Sequence, residues 1–458
     1  MYTFANDTVG RQNFVTTRID LNPGDFDRLF FRYSFDDGSR EDETNFALGN
    51  SVSATRAQSL AIEESHLFAE PAQCRSTWVH ANVPVSGETT TQTPATDDPD
   101  LAFLPAGEVI GFIEVTGLSD FPGGTGALDS DRHAFNSFQA SDDLTWTRGG
   151  RSLKVGTRVE RTHFNTDSQN RVSGEYRFSS LADFLTNAPN RFRGQFPGSD
   201  TVRGHRQWIS AWYVQDAWKV TPRLTLDLGL RHEWATVPTE VNGKVASLRN
   251  LTDPAMTIGG PLFENPSLKN FAPRLGLAWD VAGNGHTVIR GGYGVYPDLI
   301  LSHFLLLVGV RNPPFFLLGA AGNLDIGDFP NGGYEALANS PTPSLRVERL
   351  DPEPSQPYVQ QWNLNVEQNL GFDSSLRVAY VGSHGLNLSA ITRDANLVQP
   401  TTLPDGRLFF PEDGQKINPL FSRIRNRTFD AHSFYHGLQT RLQRRLREGL
   451  LFNVGYTF

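Results

Sequence analysis

Cysteine is almost missing. Cys74 stands alone among 458 residues, which excludes an internal disulfide framework and any cysteine-built zinc site. No window approaches about eighteen uninterrupted apolar residues, so no transmembrane helix is read. The nearest stretch, Leu299 to Leu318, is broken by Ser302, His303, Arg311, Asn312 and the Pro313-Pro314 pair. An excess of basic charge is also lacking: a net charge of −9 and a pI of about 5.7 argue against nucleic acid as a partner. The opening residues, MYTFANDTVGRQ, hold no basic stretch leading into an apolar one, so no signal peptide is read there.

Bulk hydropathy points to a soluble protein, with 38% hydrophobic residues and a mean hydropathy of −0.37. A transmembrane barrel gives the same average, because only every second strand residue is apolar. What is abundant suits a turn-rich, aromatic β protein: 42 Gly, 28 Pro and 32 Phe. The clearest stretch is Gln207 to Trp234, QWISAWYVQDAWKVTPRLTLDLGLRHEW. Leu224, Leu226, Leu228 and Leu230 alternate with Thr225, Asp227, Gly229 and Arg231, the signature of a strand with one apolar and one polar face. Val220-Thr221-Pro222-Arg223 interrupts the run, since Pro222 has no N–H for a ladder. Trp208 to Lys219 is then the partner arm. Arms of about ten to twelve residues approach transmembrane barrel length rather than the five or six common in globular sheets.

Seven such hairpins are placed along the chain. They are Asn13–Leu21 with Phe26–Phe35, Ser59–Phe68 with Ser76–Val85, Phe135–Thr147 with Ser152–Phe164, and the pair above. Ala272–Val281 with Thr287–Tyr296, Val359–Asn369 with Ser375–His384, and Phe434–Leu446 with Leu450–Phe458 follow. Segments of roughly 25 to 60 residues separate the hairpins, too long for ordinary loops of a compact soluble domain. Asp36–Glu43, Gly87–Asp100 and Pro297–Gln356 are read as parts of these loops, and Ser179–Leu185 as a short helix capped by Ser179 or Ser180. Short turns at one end and long loops at the other fit an antiparallel transmembrane β-barrel with periplasmic turns and extracellular loops.

Tryptophans give a second signal. Trp146, Trp218 and Trp279 sit near short turns, and Trp208, Trp234 and Trp362 near the long-loop ends; where parity can be read, for Trp234, Trp279 and Trp362, each shares the apolar parity. Two rows of outward Trp are the aromatic girdles of a membrane barrel; the alternative is core aromatics of a soluble sandwich. The opposite parity, expected to face the lumen, carries Lys154, Arg158, Glu160, Asp227, Arg231, Glu233, Arg274, Asp280, Asn363, Asn365, Glu367 and Arg377.

These stretches, taken in order, resemble one family. SDDLTWTRGGRSLKVG, FNTDSQNRVSGEYRFSSLADFL, WYVQDAWKVTPRLTLDLGLRHEW, APRLGLAWD with IRGGYGVY, QQWNLNVEQNL with LRVAYVGSHG, and YHGLQTRLQRR with FNVGYTF are similar to TonB-dependent outer-membrane transporters of the Oar-like, acidobacterial type. The resemblance runs from about Asn13 to Phe458. It implies a signal, a regulatory-like sandwich and a plug ahead of the barrel, and about twenty-two strands in all. None of the first three is read here, and only about fourteen strands are, as seven hairpins, so the chain is expected to be a partial barrel. If so, Asn13–Leu21 and Leu450–Phe458 are unpaired sheet edges, with no regular ladder between them.

His232 and Glu233 occupy adjacent strand positions on opposite faces. The acidic run Asp36, Asp37, Glu41, Asp42, Glu43 lacks EF-hand spacing and reads as a solvated loop. Gly291-Gly292-Tyr293-Gly294 has no following Lys or helix and reads as strand glycine. No catalytic, cofactor or metal residue is assigned. The expected function is the barrel of a TonB-dependent receptor, embedded in outer-membrane lipid and reaching the TonB energy-coupling complex only through a plug. The alternatives are a self-standing passive channel or surface-binding barrel, and a soluble extracellular glycan-binding β protein. No residue picks out a substrate.

Overall fold

The alternating runs become the strands of one antiparallel meander. The computed structural model describes residues 7–45, 49–68, 73–92, 98–104, 110–118, 130–169, 171–196, 198–305, 309–322, 324–339, 345–447 and 449–458. Its long strands are β1 (Thr8–Leu21), β2 (Asp27–Glu43), β3 (Gly49–Phe68), β4 (Gln73–Asn82), β5 (Val85–Gln92), β6 (Ser130–Arg148), β7 (Arg151–Gln169) and β8 (Val202–Thr221). They continue as β9 (Leu224–Ala235), β10 (Phe271–Asp280), β11 (Thr287–Pro297), β12 (Tyr358–Gly371), β13 (Ser374–Thr392), β14 (Arg423–Arg447) and β15 (Leu450–Thr457). β4 and β5 lie in line on the same two neighbours, β3 and β6, and are parted at Pro84, which has no N–H to donate. They act as one crossing, so the sheet has fourteen crossings, and each of the seven expected hairpins is present.

Every crossing pairs with its neighbours in sequence, from β1–β2 through β14–β15. No ladder joins β1 to β15 among the described residues, and β1 is exposed along its whole length. The absence of a regular ladder between those two edges is what the sequence pattern leads one to expect.

Most strands outrun their expected limits at the long-loop end. β2 continues through Asp36–Glu43, the run read above as a loop. That acidic half is held by cross-strand polar pairs: Gln12 donates to Asp36 (3.0 Å), Arg56 to Asp37 (2.8 Å), Asn50 to Glu41 (2.7 Å) and Thr8 to Asp42 (2.7 Å). Likewise Gly87–Gln92, read as loop, belongs to β5, while residues 93–97 lie outside the described ones. A transmembrane strand needs about 9–11 residues. The 20 residues of β8 and the 25 of β14 therefore reach well past any hydrocarbon layer.

Burial is inverted relative to a soluble sandwich. The large apolar side chains of the strands are exposed, among them Ile19, Leu60, Val79, Leu144, Val155, Leu228, Leu275, Leu364, Val378 and Val454. The buried apolar clusters are formed by the long segments and the strand ends beside them. Those segments are not open loops. Four short strands, Phe112–Val115, Glu175–Phe178, Arg191–Gln195 and Leu318–Gly322, assemble a mixed sheet. Helices α1 (Leu181–Leu185) and α2 (Gly332–Ala338) belong to the same cap. α1 is the expected helix, with Ser180 as its N-cap accepting from the Asp183 N–H at 3.1 Å. Phe103, Tyr176, Phe178, Phe192 and Leu337 are fully buried there, each apolar side chain contributing about 1.5–3 kcal/mol. The Tyr176 hydroxyl donates to the Asp328 carbonyl (2.7 Å) and accepts from the Gly333 N–H (2.6 Å). Burial pushes that phenol well above its ordinary pKa.

The segment after β11 folds back over the polar side of the sheet. Gln207 donates to the carbonyls of Thr236 (2.8 Å) and Ile300 (3.0 Å) and accepts from the Ser302 N–H (3.1 Å). Arg203 donates to the Val310 carbonyl (3.1 Å). Arg311 is buried deeply enough to bring its pKa down to about 10. Arg346–Leu350 then runs parallel to Arg423–Arg427 of β14, beyond the reach of β15.

Candidate functional site

Register decides which side chains share a face. One row runs Trp146, Leu153, Asp216, Leu228, Leu275, Tyr293, Trp362 across seven successive strands, β6 to β12. Its only charged member, Asp216, meets Arg151 at 2.9 Å. A neighbouring row on the other face runs Lys154, Gln215, Gly229, Arg274, Gly294, Gln361. A third runs Asp227, Gly276, Gly292, Asn363. The sheet thus has one apolar and one polar face over most of its width.

All twelve residues expected on the polar face lie there, eleven of them in three groups. Near the middle, Lys154 Nζ sits 3.5 Å from Asp143, which also accepts from the Tyr213 hydroxyl at 2.6 Å. Gly156 makes that contact possible, since a Cβ there would lie 2.0 Å from Asp143 Oδ1 and 2.5 Å from the Tyr213 ring. Arg274 stacks on the Tyr296 ring at 4.8 Å, and that ring covers Gly294. Lys154, Tyr213, Arg231 and Arg274 share one depression; Asp227, Arg274, Tyr296 and Asn363 share the next, of about 290 Å³.

Towards the cap, Arg158 pairs with Glu160 (2.7 Å), which also accepts from Ser137 (2.7 Å), and Arg231 pairs with Glu233 (3.1 Å). Towards the short turns, Arg377 donates to Asn365 (2.7 Å) and lies 4.0 Å from Glu367, and Asn365 donates to Asn363 (2.8 Å). Glu367 also binds Arg290. Glu367, Arg377, Arg441, Gln443, Arg445 and His286 border a cavity of about 390 Å³. Asp280 plays a different part from its fellows: its carboxylate accepts from Gly283 and Gly285, both at 2.9 Å, and so caps the turn.

Several polar-face residues were missed. Asp143, Tyr213, Gln215, Arg290 and Arg441 carry the right parity, but parity does not tell which partner a side chain finds. The six tryptophans of the girdle reading lie on the apolar face. Trp218 and Trp279 sit two or three residues from their turns, while Arg161 stacks on Trp208 at 4.9 Å. Trp212, left out of the girdle reading, is also on this face, with His232 stacked against it at 5.6 Å. His232 and Glu233 face opposite sides, and Gly291–Gly294 lies within β11.

The arrangement is a curtain of alternating donors and acceptors on one side of a sheet whose other side is oily. It suits the wall of a solute path through an apolar medium.

Comparison with known proteins places this geometry. The outer membrane beta barrel domain family matches residues 1–458. None of the curated proteins matches the chain. Among solved structures, the outer-membrane transporter YddB from Escherichia coli is similar with a TM-score of 0.53 and 12% identity, over 94% of this chain and 45% of that one. The siderophore receptor PirA from Acinetobacter baumannii has a TM-score of 0.54 and 12% identity, over 98% of this chain and 53% of that one. The ferric enterobactin receptor PfeA from Pseudomonas aeruginosa has a TM-score of 0.54 and 11% identity, over 98% and 52%. The chain spans about half the length of these proteins.

Proposed function

Because the chain belongs to the outer membrane beta barrel domain family and resides in the outer membrane, we propose that its fourteen crossings form part of the wall of a TonB-dependent receptor of Oar-like type. The polar face then lines the lumen and the apolar face meets lipid. Short turns lie in the periplasm, and the cap covers the extracellular mouth. The observation that carries this reading is the inverted burial: the apolar strand residues are exposed while the apolar clusters sit in the cap. In water that face would be a large aggregation-prone patch; in lipid it is at equilibrium.

Gated uptake needs a mobile occluding element through which the TonB complex would act, and no separate plug domain exists among the described residues. Among the described residues β1 and β15 each keep one edge without a ladder partner, and in hydrocarbon such an edge requires a partner strand. The described strands are therefore read as a partial wall that does not drive uptake by itself, and no enzymatic role is assigned. The runner-up, a passive channel, shares the same wall. Heat-modifiable gel migration after refolding into detergent tests the membrane reading. A folded band that shifts on boiling is expected; a chain that is soluble, folded and indifferent to detergent would overturn it.

A further inference from the structure

The apolar face carries one cluster that does not suit lipid. Asp27 at the start of β2 pairs in register with His66 near the end of β3, and Glu64 follows on the same face beside Leu29. Farther along, that face continues as Phe31, Tyr33, Ile62 and Leu60. One ligand atom from each of Asp27, Glu64 and His66 lies within 4.8 Å of the others. His66 Nδ1 is 2.5 Å from Asp27 Oδ1, and the Phe68 ring stands edge-on to the imidazole at 4.5 Å, fixing its plane.

Depth and charge make the cluster unusual. Phe68 aligns through Gln73 with Trp146, and His66 lies one same-face position farther in, level with Leu144. The charged groups facing it from β4 and β6 are Arg75, opposite His66, and Asp142, which binds Arg75 at 2.6 Å. Asp27, Glu64 and Asp142 against Arg75 leave two negative charges inside the tryptophan row. Uncompensated carboxylates at that depth are costly, and polar groups placed in a membrane band are expected to have a task.

We propose that Asp27, Glu64 and His66 form a divalent cation site of the Zn²⁺ class. A doubly positive ion cancels the two excess charges. One imidazole nitrogen with two carboxylate oxygens suits Zn²⁺ better than Mg²⁺ or Ca²⁺, which take all-oxygen shells. Bonds of about 2.0–2.2 Å bring ligand atoms to roughly 3–4 Å of each other, a change within reach of side-chain rotation from the present spacing. The ion would staple β2 to β3, across the short turn from the exposed β1. Sequence alone hides the set, because Asp27 and His66 are 39 residues apart. The charge argument rests on the lipid-facing reading of this face, whereas metal binding in detergent reads the ligands alone, so the two can fail separately.

The test is calorimetric titration of the full chain, refolded in detergent and stripped with chelator, with Zn²⁺ alone. One ion per chain is expected. Asp27→Asn, Glu64→Gln and His66→Gln should each weaken binding by about a hundredfold, at least the loss seen on removing outer-shell partners. His384→Gln, which removes the imidazole beside His432, should leave it unchanged. Should a variant fail to refold, Co²⁺ added to the unaltered chain gives visible absorption bands that Zn²⁺ displaces. No stoichiometric Zn²⁺ binding, loss of binding in His384→Gln, or an affinity in the three ligand variants unchanged from the unaltered chain overturns the site.

Discussion

Placing arginine at Leu228 puts the two-faced wall to a quantitative test. Leu228 lies four residues into β9, about 13 Å along the strand at roughly 3.3 Å per residue. At a tilt of about 40° this is about 10 Å of depth, near the middle of an apolar band roughly 25 Å tall. An arginine at such a midplane position costs about 2–4 kcal/mol. The surroundings narrow the range: Leu228 pairs across the ladder with Asp216, whose carboxylate is engaged by Arg151 at 2.9 Å. A new guanidinium can share that carboxylate, so Leu228→Arg should cost about 2 kcal/mol, the lower end. In an Asp216→Asn background the cost should rise to about 4 kcal/mol, the upper end. Thr225→Arg, on the polar face beside Ala278 and Lys219, should stay within about 0.5 kcal/mol of the parent. Reversible urea unfolding in thin-bilayer vesicles, followed by tryptophan emission, reads all four. Equal costs for Leu228→Arg and Thr225→Arg would refute the facing assignment; a cost unmoved by Asp216→Asn would refute the pairing.

Two further predictions follow from the cap. In a Cys74→Ser background, Glu412→Cys in the loop after β13 should react with an impermeant maleimide on intact cells, and Ala282→Cys in the β10–β11 turn only after permeabilisation; the opposite pattern would invert the topology. Tyr176→Phe strips the partner from the Gly333 N–H and the Asp328 carbonyl, and should loosen the cap by about 1–3 kcal/mol, seen as faster limited proteolysis of the cap with the strands still protected.

How legible this was depends on what holds each part together. β9 could be read residue by residue because its leucines and polar residues alternate without a break. The same signal stops where the apolar band stops, so the distal half of β2, Asp36–Glu43, passed for a loop. Its strand character comes from Gln12, Arg56 and Asn50 on neighbouring strands, which local pattern cannot reveal. The cap was less legible still. Phe112–Val115 pairs with Glu175–Phe178, and Arg191–Gln195 with Leu318–Gly322, strands of four or five residues whose partners are remote in sequence. α2 begins with Gly332-Gly333, poor helix formers, behind Asn331, whose side chain makes no capping bond. On the polar face, parity identified Lys154 and Arg274, but the Asp143–Tyr213 contact depends on Gly156 being bare.

The central claim is that Leu224, Leu226, Leu228 and Leu230 meet lipid while Thr225, Asp227, Gly229 and Arg231 line a polar lumen. Single nitroxide labels at each position from 224 to 231, in vesicles, read this directly through collisions with oxygen, which favours lipid, and with a nickel chelate, which stays in water. The account predicts two period-2 profiles in antiphase, with oxygen maxima at the leucine positions. Profiles that run in phase, or an oxygen maximum at the positions of Asp227 and Arg231, would contradict it.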